Sequence, residues 1–361
     1  MSITVHILGG FPPPVTGAAK NNALFAQDLS GRGLDVRKLN TSGPTISHAR
    51  GRGYHFSRAK VNLKAAFKIL FGKSGPVYIV PDGGLGIIYT AFHCVLAKIR
   101  NRNTILHHRT FLYIDNHSQF VSIINKVCGR SALNVFLSEG MKDKFVKRYG
   151  TKNNIVVGNS HYVELTNLDL GIKQNYAVGH LSNLCREKGF FDVCDLFENL
   201  HSKSSEVTLH LGGPIIDTEV KDRIDALKSK YGESFQYYGP LYGEEKQLFY
   251  NRCRFFLFPT RYPLEAAPNV VYEALSAGCV VIATTNGCIP EMLPGVRGKS
   301  IPIEIFADAA TETVLSTLKE DDLRDRAIKI RDDLQREIAE DKLRYERMVR
   351  MLINREEKYD S

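Results

Sequence analysis

The chain has 361 residues, 43% of them hydrophobic and 24% charged, with 29 Gly, 14 Pro and no Trp. That is too apolar for a disordered chain, lacks the period of a collagen, solenoid or coiled coil, and suffices for two domains with a core each. The net charge of +9 is unevenly placed: residues 1–175 hold 23 Lys+Arg against 8 Asp+Glu, net +15, and the rest 25 against 31, net −6. A strongly basic half predicts a polyanionic partner, be it nucleic acid, an anionic bilayer or a phosphorylated lipid, with a merely solubilising field as the alternative.

The first residues, MSITVHILGGFPPP, carry no basic leader before their short apolar run, and no run approaches the ~20 apolar residues of a spanning helix. A cytoplasmic protein is expected. Seven cysteines without a CxxC pair predict reduced thiols and neither a zinc site nor a disulfide frame.

In chain order, β-rich runs alternate with helical lengths: ITVHIL and GAAKNNALFAQDLSGRG, VRKLNT and a basic helix, PVYIVP and LGIIYTAFHCVLAKIR, NTILHH and a helix near 118–130, NVFLS and EGMKDKFVKRYG, then NIVVGN. Such alternation predicts a doubly wound parallel sheet. The basic helix, SRAKVNLKAAFKILFGK, sets Leu63, Phe67, Leu70 and Phe71 on one stripe beside Lys60, Lys64 and Lys68. Either that stripe docks on the domain's own sheet or it lies in a membrane interface.

The rhythm restarts at YAVGHL and runs through VTLHLGG, FQYYG, RFFLFPT, CVVIATT and KSIPI. The expected class is therefore α/β, with two Rossmann-like domains. Domain one is placed at 1–170 and domain two at 171–337, joined through the polar stretch 164–175. A charged helical pattern from about Asp332 to Tyr359 is expected to pack back onto the first domain from about residue 338. Open sheets of this kind bind ligands at the carboxyl ends of their strands, which predicts a site in a cleft between the domains.

The segment PTRYPLEAAPNVVYEALSAGCVVIAT, residues 259–284, carries most of the chemistry. A strand ends at Phe258, a loop bears Glu265, and a helix opens near Pro268 or Asn269 and stops before Gly278. The helix start at Ala267, Pro268, Asn269 and Val270, with the N–H groups its non-proline residues leave free, suits the oxygens of a sugar or phosphate. A carboxylate is a double acceptor, so Glu273 suits a ribose diol and Glu265 the hydroxyls of a hexose. By spacing alone, two glutamates near a helix are commonplace.

EAAPNVVYEALSAG resembles the E-x7-E segment of glycosyltransferase family 4, the retaining nucleotide-sugar transferases of GT-B fold, whose usual form reads like EGFPNVLLEAMACG. Ala266 and Ala267 stand where Gly and a bulky residue are usual. NGCIPEML looks like the family's Gly-x-Pro-Glu turn, and the likeness runs through nearly the whole chain. The loop SNLCREKG after YAVGHL resembles the family's phosphate-binding loop. By that match Ser182 and Asn183 line it, Lys188 neutralises the donor diphosphate and Arg186 assists, with His180 where an Arg is usual. GGFPPPVTGAAKNN resembles the family's PPxxGG loop, which places Gly17 against the donor phosphate. HRTF aligned with the family's H-G-S-F favours His108 over His107 as the imidazole near the reacting sugar. The loop YYGPLYG is expected to approach the base through Pro240 and Leu241. Ser138, Glu139 and Asn159 are read as structural landmarks.

The resemblance implies a hexosyltransferase using a nucleoside diphosphate sugar, UDP favoured and GDP possible. The acceptor is expected to be a glycan or lipid-linked saccharide in bacterial surface polysaccharide assembly, at the inner face of the cytoplasmic membrane. No DxD is present, so no metal or other cofactor is expected, and no recognition helix or aromatic RNA motif supports nucleic acid. A GT-B epimerase, a silent sugar-nucleotide module and a polyanion-binding protein are the alternatives.

Overall fold

The computed structural model describes residues 2–13, 16–42, 52–165 and 167–354. It divides into two compact units, residues 1–162 with 341–361, and residues 163–340.

Unit 1 runs β1 (Thr4–Gly9), α1 (Gly17–Gly31), β2 (Asp35–Asn40), α2 (Arg52–Phe71), β3 (Val77–Ile79), α3 (Ile87–Ile99), β4 (Thr104–His107), α4 (Leu112–Asp115), α5 (Gln119–Cys128), β5 (Ala132–Phe136), α6 (Glu139–Tyr149) and β6 (Asn154–Val156). Its six strands are all parallel in the order β2-β1-β3-β4-β5-β6. Val5, Ile7, Tyr78, Ile105 and Val135 from four strands pack on Phe25 and Leu29 of α1. Strands covered on both faces need continuous apolar runs, and these supply them.

Unit 2 runs β7 (Gln174–Leu181), α7 (Phe190–Lys203), β8 (Thr208–Gly212), α8 (Thr218–Tyr231), β9 (Phe235–Tyr237), α9 (Gly243–Arg252), β10 (Cys253–Phe258), α10 (Asn269–Ser276), β11 (Val280–Thr284), α11 (Ile289–Met292), β12 (Gly298–Ile301) and α12 (Phe306–Thr317). The order β12-β11-β10-β7-β8-β9, again all parallel, reverses direction between β7 and β10. That reversal is the place where open α/β sheets take their ligands.

The last helix, α13 (Leu323–Ile353), begins nine residues before the charged pattern suggested. Ala327, Ile330 and Leu334 are buried in its first part, in unit 2. Tyr345, Met348, Val349 and Leu352 of its second part belong to the core of unit 1. Asn103 donates to the carbonyls of Met351 (2.9 Å) and Leu352 (2.7 Å), which satisfies two of the acceptors a helix leaves open at its end. Residues 355–361, included in the expected C-terminal pattern, lie outside the described residues.

The stripe on α2 is not the docked face. Asn62, Ala65, Ala66 and Ile69 are buried and Leu70 is half-buried, whereas Leu63, Phe67 and Phe71 of the stripe, and Phe56 before it, are 63–76% exposed. Small side chains let α2 lie close beside α3, and the larger ones are turned to solvent. Helix α3 exposes Ile88, Phe92 and Ile99 as well. No helix among the described residues is long and apolar enough to cross a membrane.

Candidate active site

In unit 2, the loops that follow β7 and β10 leave the sheet side by side at its reversal point. The first turns through Arg186–Lys188 and the second carries Pro259–Pro268. The Arg261 N–H donates to the Glu187 carbonyl at 2.8 Å, tying the loops together. Gly189 between them has φ +81°, and a Cβ there would collide with the Pro259 carbonyl and ring. Only glycine allows that approach.

This close packing sets Lys188 Nζ against Glu265 Oε2 in an ion pair. The ammonium also lies 4.4 Å from the centre of the Tyr262 ring. Both charged side chains keep a little exposure, 20% and 13%, so the pair is neither sealed nor freely solvated. Just before it, His180 at the end of β7 donates from Nδ1 to the Leu257 carbonyl (2.8 Å), and its Nε2 accepts from the Ser182 hydroxyl (2.8 Å). Burial pushes the His180 pKa down to about 4, so the ring stays neutral and fixes Ser182. Ser182 is thereby buried, while Asn183 beside it is exposed.

Helix α10 opens as its residues dictate. Pro268 is the N-cap, buried with Ala267, and Asn269 and Val270 are half-buried in the first turn. The Cys288 N–H donates to the Ala266 carbonyl (2.7 Å), anchoring the loop that presents Glu265. Glu273, one turn further, is held from α9: Lys246 Nζ lies 2.5 Å from its Oε2, and the Tyr250 hydroxyl donates to the same oxygen at 3.2 Å. Burial raises the Tyr250 pKa, so its hydroxyl remains a donor. Pro240 is exposed and Leu241 half-buried in the loop between β9 and α9.

Arg186 and His108 take no part in the Lys188–Glu265 ion pair. Arg186 points outward, pairing with Glu219 at 3.1 Å and lying 4.4 Å over the Phe191 ring; with a side chain 69% exposed, it is a surface cation. His108, in unit 1, is 2% exposed with both ring nitrogens engaged, by the Tyr113 hydroxyl (2.9 Å) and Asn134 Oδ1 (3.1 Å). It stacks on Phe136 at 4.8 Å between centroids, and burial pushes its pKa down to about 4. Alternation along β4 sends His107 and His108 to opposite sides, yet the chain turns after His107 and buries both.

Gly17 is the exposed first residue of α1, whose N-cap Thr16 accepts from Ala19 N at 3.1 Å. Pro14 and Val15 of the same loop lie outside the described residues. Ser138 caps α6 by accepting from Met141 N (3.1 Å), Glu139 pairs with Lys142, and Asn159 is buried after β6. The sequence reading missed Tyr262, Lys246 and Tyr250, since nothing in their spacing marks the helix-to-helix register that brings Lys246 and Tyr250 to Glu273.

Residues 169–332 match the family model for glycosyl transferases group 1. The chain is a glycosyltransferase. Among solved structures it is similar to a sucrose-phosphate synthase from Thermosynechococcus elongatus (TM-score 0.69, 14% identity, covering 97% of this chain and 99% of that one). It is also similar to WaaG, a glycosyltransferase involved in lipopolysaccharide biosynthesis (0.62, 13%, 92% and 95%), and to Anabaena Alr3699/HepE, solved with UDP (0.55, 17%, 94% and 100%). No curated protein matches by sequence. These likenesses give the glycosyltransferase the GT-B fold of two Rossmann-like domains, with the matched segment covering most of unit 2.

Proposed function

We propose that this glycosyltransferase moves a hexosyl unit from a nucleoside diphosphate sugar, UDP favoured, to an acceptor hydroxyl with retention of anomeric configuration. The observation that carries the reading is the Lys188–Glu265 pair at the strand ends of the group 1 segment. An ammonium there neutralises a departing diphosphate, and a carboxylate beside it accepts from sugar hydroxyls. Glu273, in the second turn of α10, takes the ribose diol. The HepE complex with UDP supports a uridine donor.

In the front-face route, the leaving diphosphate itself takes the acceptor proton, so no protein nucleophile is required. Lys188 and the N–H groups at the start of α10 stabilise the charge that develops, and the reaction proceeds without a divalent metal. A chelator added during turnover leaves the rate unchanged on this reading; loss restored by Mg²⁺ or Mn²⁺ contradicts it.

The acceptor is a lipid-linked saccharide of bacterial surface polysaccharide assembly, taken by the basic unit 1 at an anionic membrane. Between Asp35 and Asp115 the sequence has one acidic residue, Asp82, against thirteen Lys and Arg. Asp82 is spent on Arg58 at 2.8 Å. A cationic surface bearing exposed Leu63, Phe67 and Phe71 suits anionic headgroups over acyl chains. The test is thermal-shift screening against UDP, GDP and ADP, each with its hexose donors, followed by product analysis. A UDP-selective shift with glycosidic product supports the reading. Isomerised donor without acceptor product turns it to an epimerase, and binding without turnover to a silent module.

A further inference from the structure

The other arginines buried among the described residues leave only Nε without a partner and spend their terminal nitrogens on carbonyl, amide or carboxylate oxygens. Arg102 donates to the carbonyls of Ile69, Gly72, Lys73 and Gly75, Arg254 to Leu323 O and Asn175 Oδ1, and Arg297 to Met292 O and Glu337. Arg109, 8% exposed in the loop after β4, meets neither carbonyl nor carboxylate among the described residues. Its Nη2 donates to the Tyr78 hydroxyl (3.2 Å) and to His107 Nδ1 (3.4 Å), the Tyr162 hydroxyl also lies against the guanidinium, and Nε and Nη1 make no well-formed hydrogen bond among the described residues.

His107, 1% exposed, repeats the imbalance. Burial and the neighbouring Arg109 hold its pKa well below the usual range, so the ring is neutral. With Nδ1 accepting from Tyr78 and Arg109, the ring proton sits on Nε2, which is also without a partner. Three N–H donors on two neighbouring side chains therefore await an acceptor, beside a buried charge that nothing among the described residues balances. Such a charge is costly to bury unless it is paired. The cluster stands at the carboxyl ends of β3 and β4, the edge at which parallel sheets bind ligands.

We propose that Arg109 and His107 form an oxyanion site of unit 1, which takes a phosphate or carboxylate group. Resting on the reading that unit 1 receives the acceptor, the ligand is an acceptor that bears its negative charge near the reacting hydroxyl. Arg109 provides the charge and the N–H groups of Nε and Nη1, and His107 the third donor nitrogen.

Thermal shift of the full chain tests it, with UDP at saturation so that the donor site is filled. The probes are inorganic phosphate, methyl glucuronide and the neutral methyl glucoside, on wild type, Arg109→Met and Arg109→Lys. Wild type gains about 3 °C from an anionic probe and nothing from the glucoside. Arg109→Met loses that gain while melting, without probe, at or above wild type, because an unbalanced buried charge has been removed. Arg109→Lys, which keeps the charge but not the spread of guanidinium donors, retains part of it. A larger gain with the glucuronide assigns the anion to the acceptor; a gain with phosphate alone assigns it to the free ion. No gain with either anion overturns the site, as does a gain that survives in Arg109→Met or an Arg109→Met protein that melts several degrees low or fails to fold. The UDP shift, read first and separately, reports on the donor reading and is expected in all three proteins.

Discussion

Lys188 and Glu265 are separated by 77 positions and are joined in one ion pair where the loops after β7 and β10 meet. The pair exists because Gly189 lets those loops touch. Its partial burial fits the proposed exchange, in which a diphosphate would replace the carboxylate as partner of the ammonium.

Glu273 is held at one oxygen by Lys246 and Tyr250 of α9. On the proposed reading, changing it to Gln removes a charge-assisted acceptor for ribose, and Lys246→Met releases its positioning. Both variants are expected to raise KM for the donor about tenfold with kcat changed less than threefold, the scale of one hydrogen bond to a charged group. Steady-state kinetics with varied donor checks this.

Four buried histidines, His108, His161, His180 and His210, have pKa values pushed down to about 4 by burial. In the unfolded chain each titrates near 6.5, so the unfolded state binds more protons between those limits. The stability they contribute is fully present above pH 6.5 and is lost as pH falls toward 4, at up to about 1.4 kcal/mol per pH unit for each ring. Melting curves from pH 8 to 5 should show Tm falling steeply below 6.5, and His108→Gln should flatten that slope.

The exposed α2 stripe carries the membrane reading. Replacing Leu63, Phe67 and Phe71 together by Ser should leave Tm within about 2 °C, since none packs in the core, and reduce sedimentation with anionic vesicles at least tenfold. Reversing Lys60, Lys64 and Lys68 to Glu should do the same. Neutral vesicles provide the control, and unchanged sedimentation of both variants removes the membrane from the account.

Much of this architecture was legible in the letters. Buried parallel strands must be continuous apolar runs, so RFFLFP and CVVIAT announced β10 and β11. Periodicity failed at α2 for a physical reason: it groups residues by face without saying which face is buried, and the face that docks is the small one, Ala65 and Ala66. Likewise, alternation separates His107 from His108 but says nothing of the turn that buries both. The links from Lys246 and Tyr250 to Glu273, and from Arg109 to Tyr78, join distant elements, and no local pattern encodes them.

The most direct measurement is calorimetric titration of UDP into wild type and Lys188→Ala. The account predicts saturable binding to wild type and affinity at least about 30-fold weaker in the variant, the worth of a charge-assisted contact to a diphosphate. Equal affinity in the two proteins, with the variant folded, would contradict it.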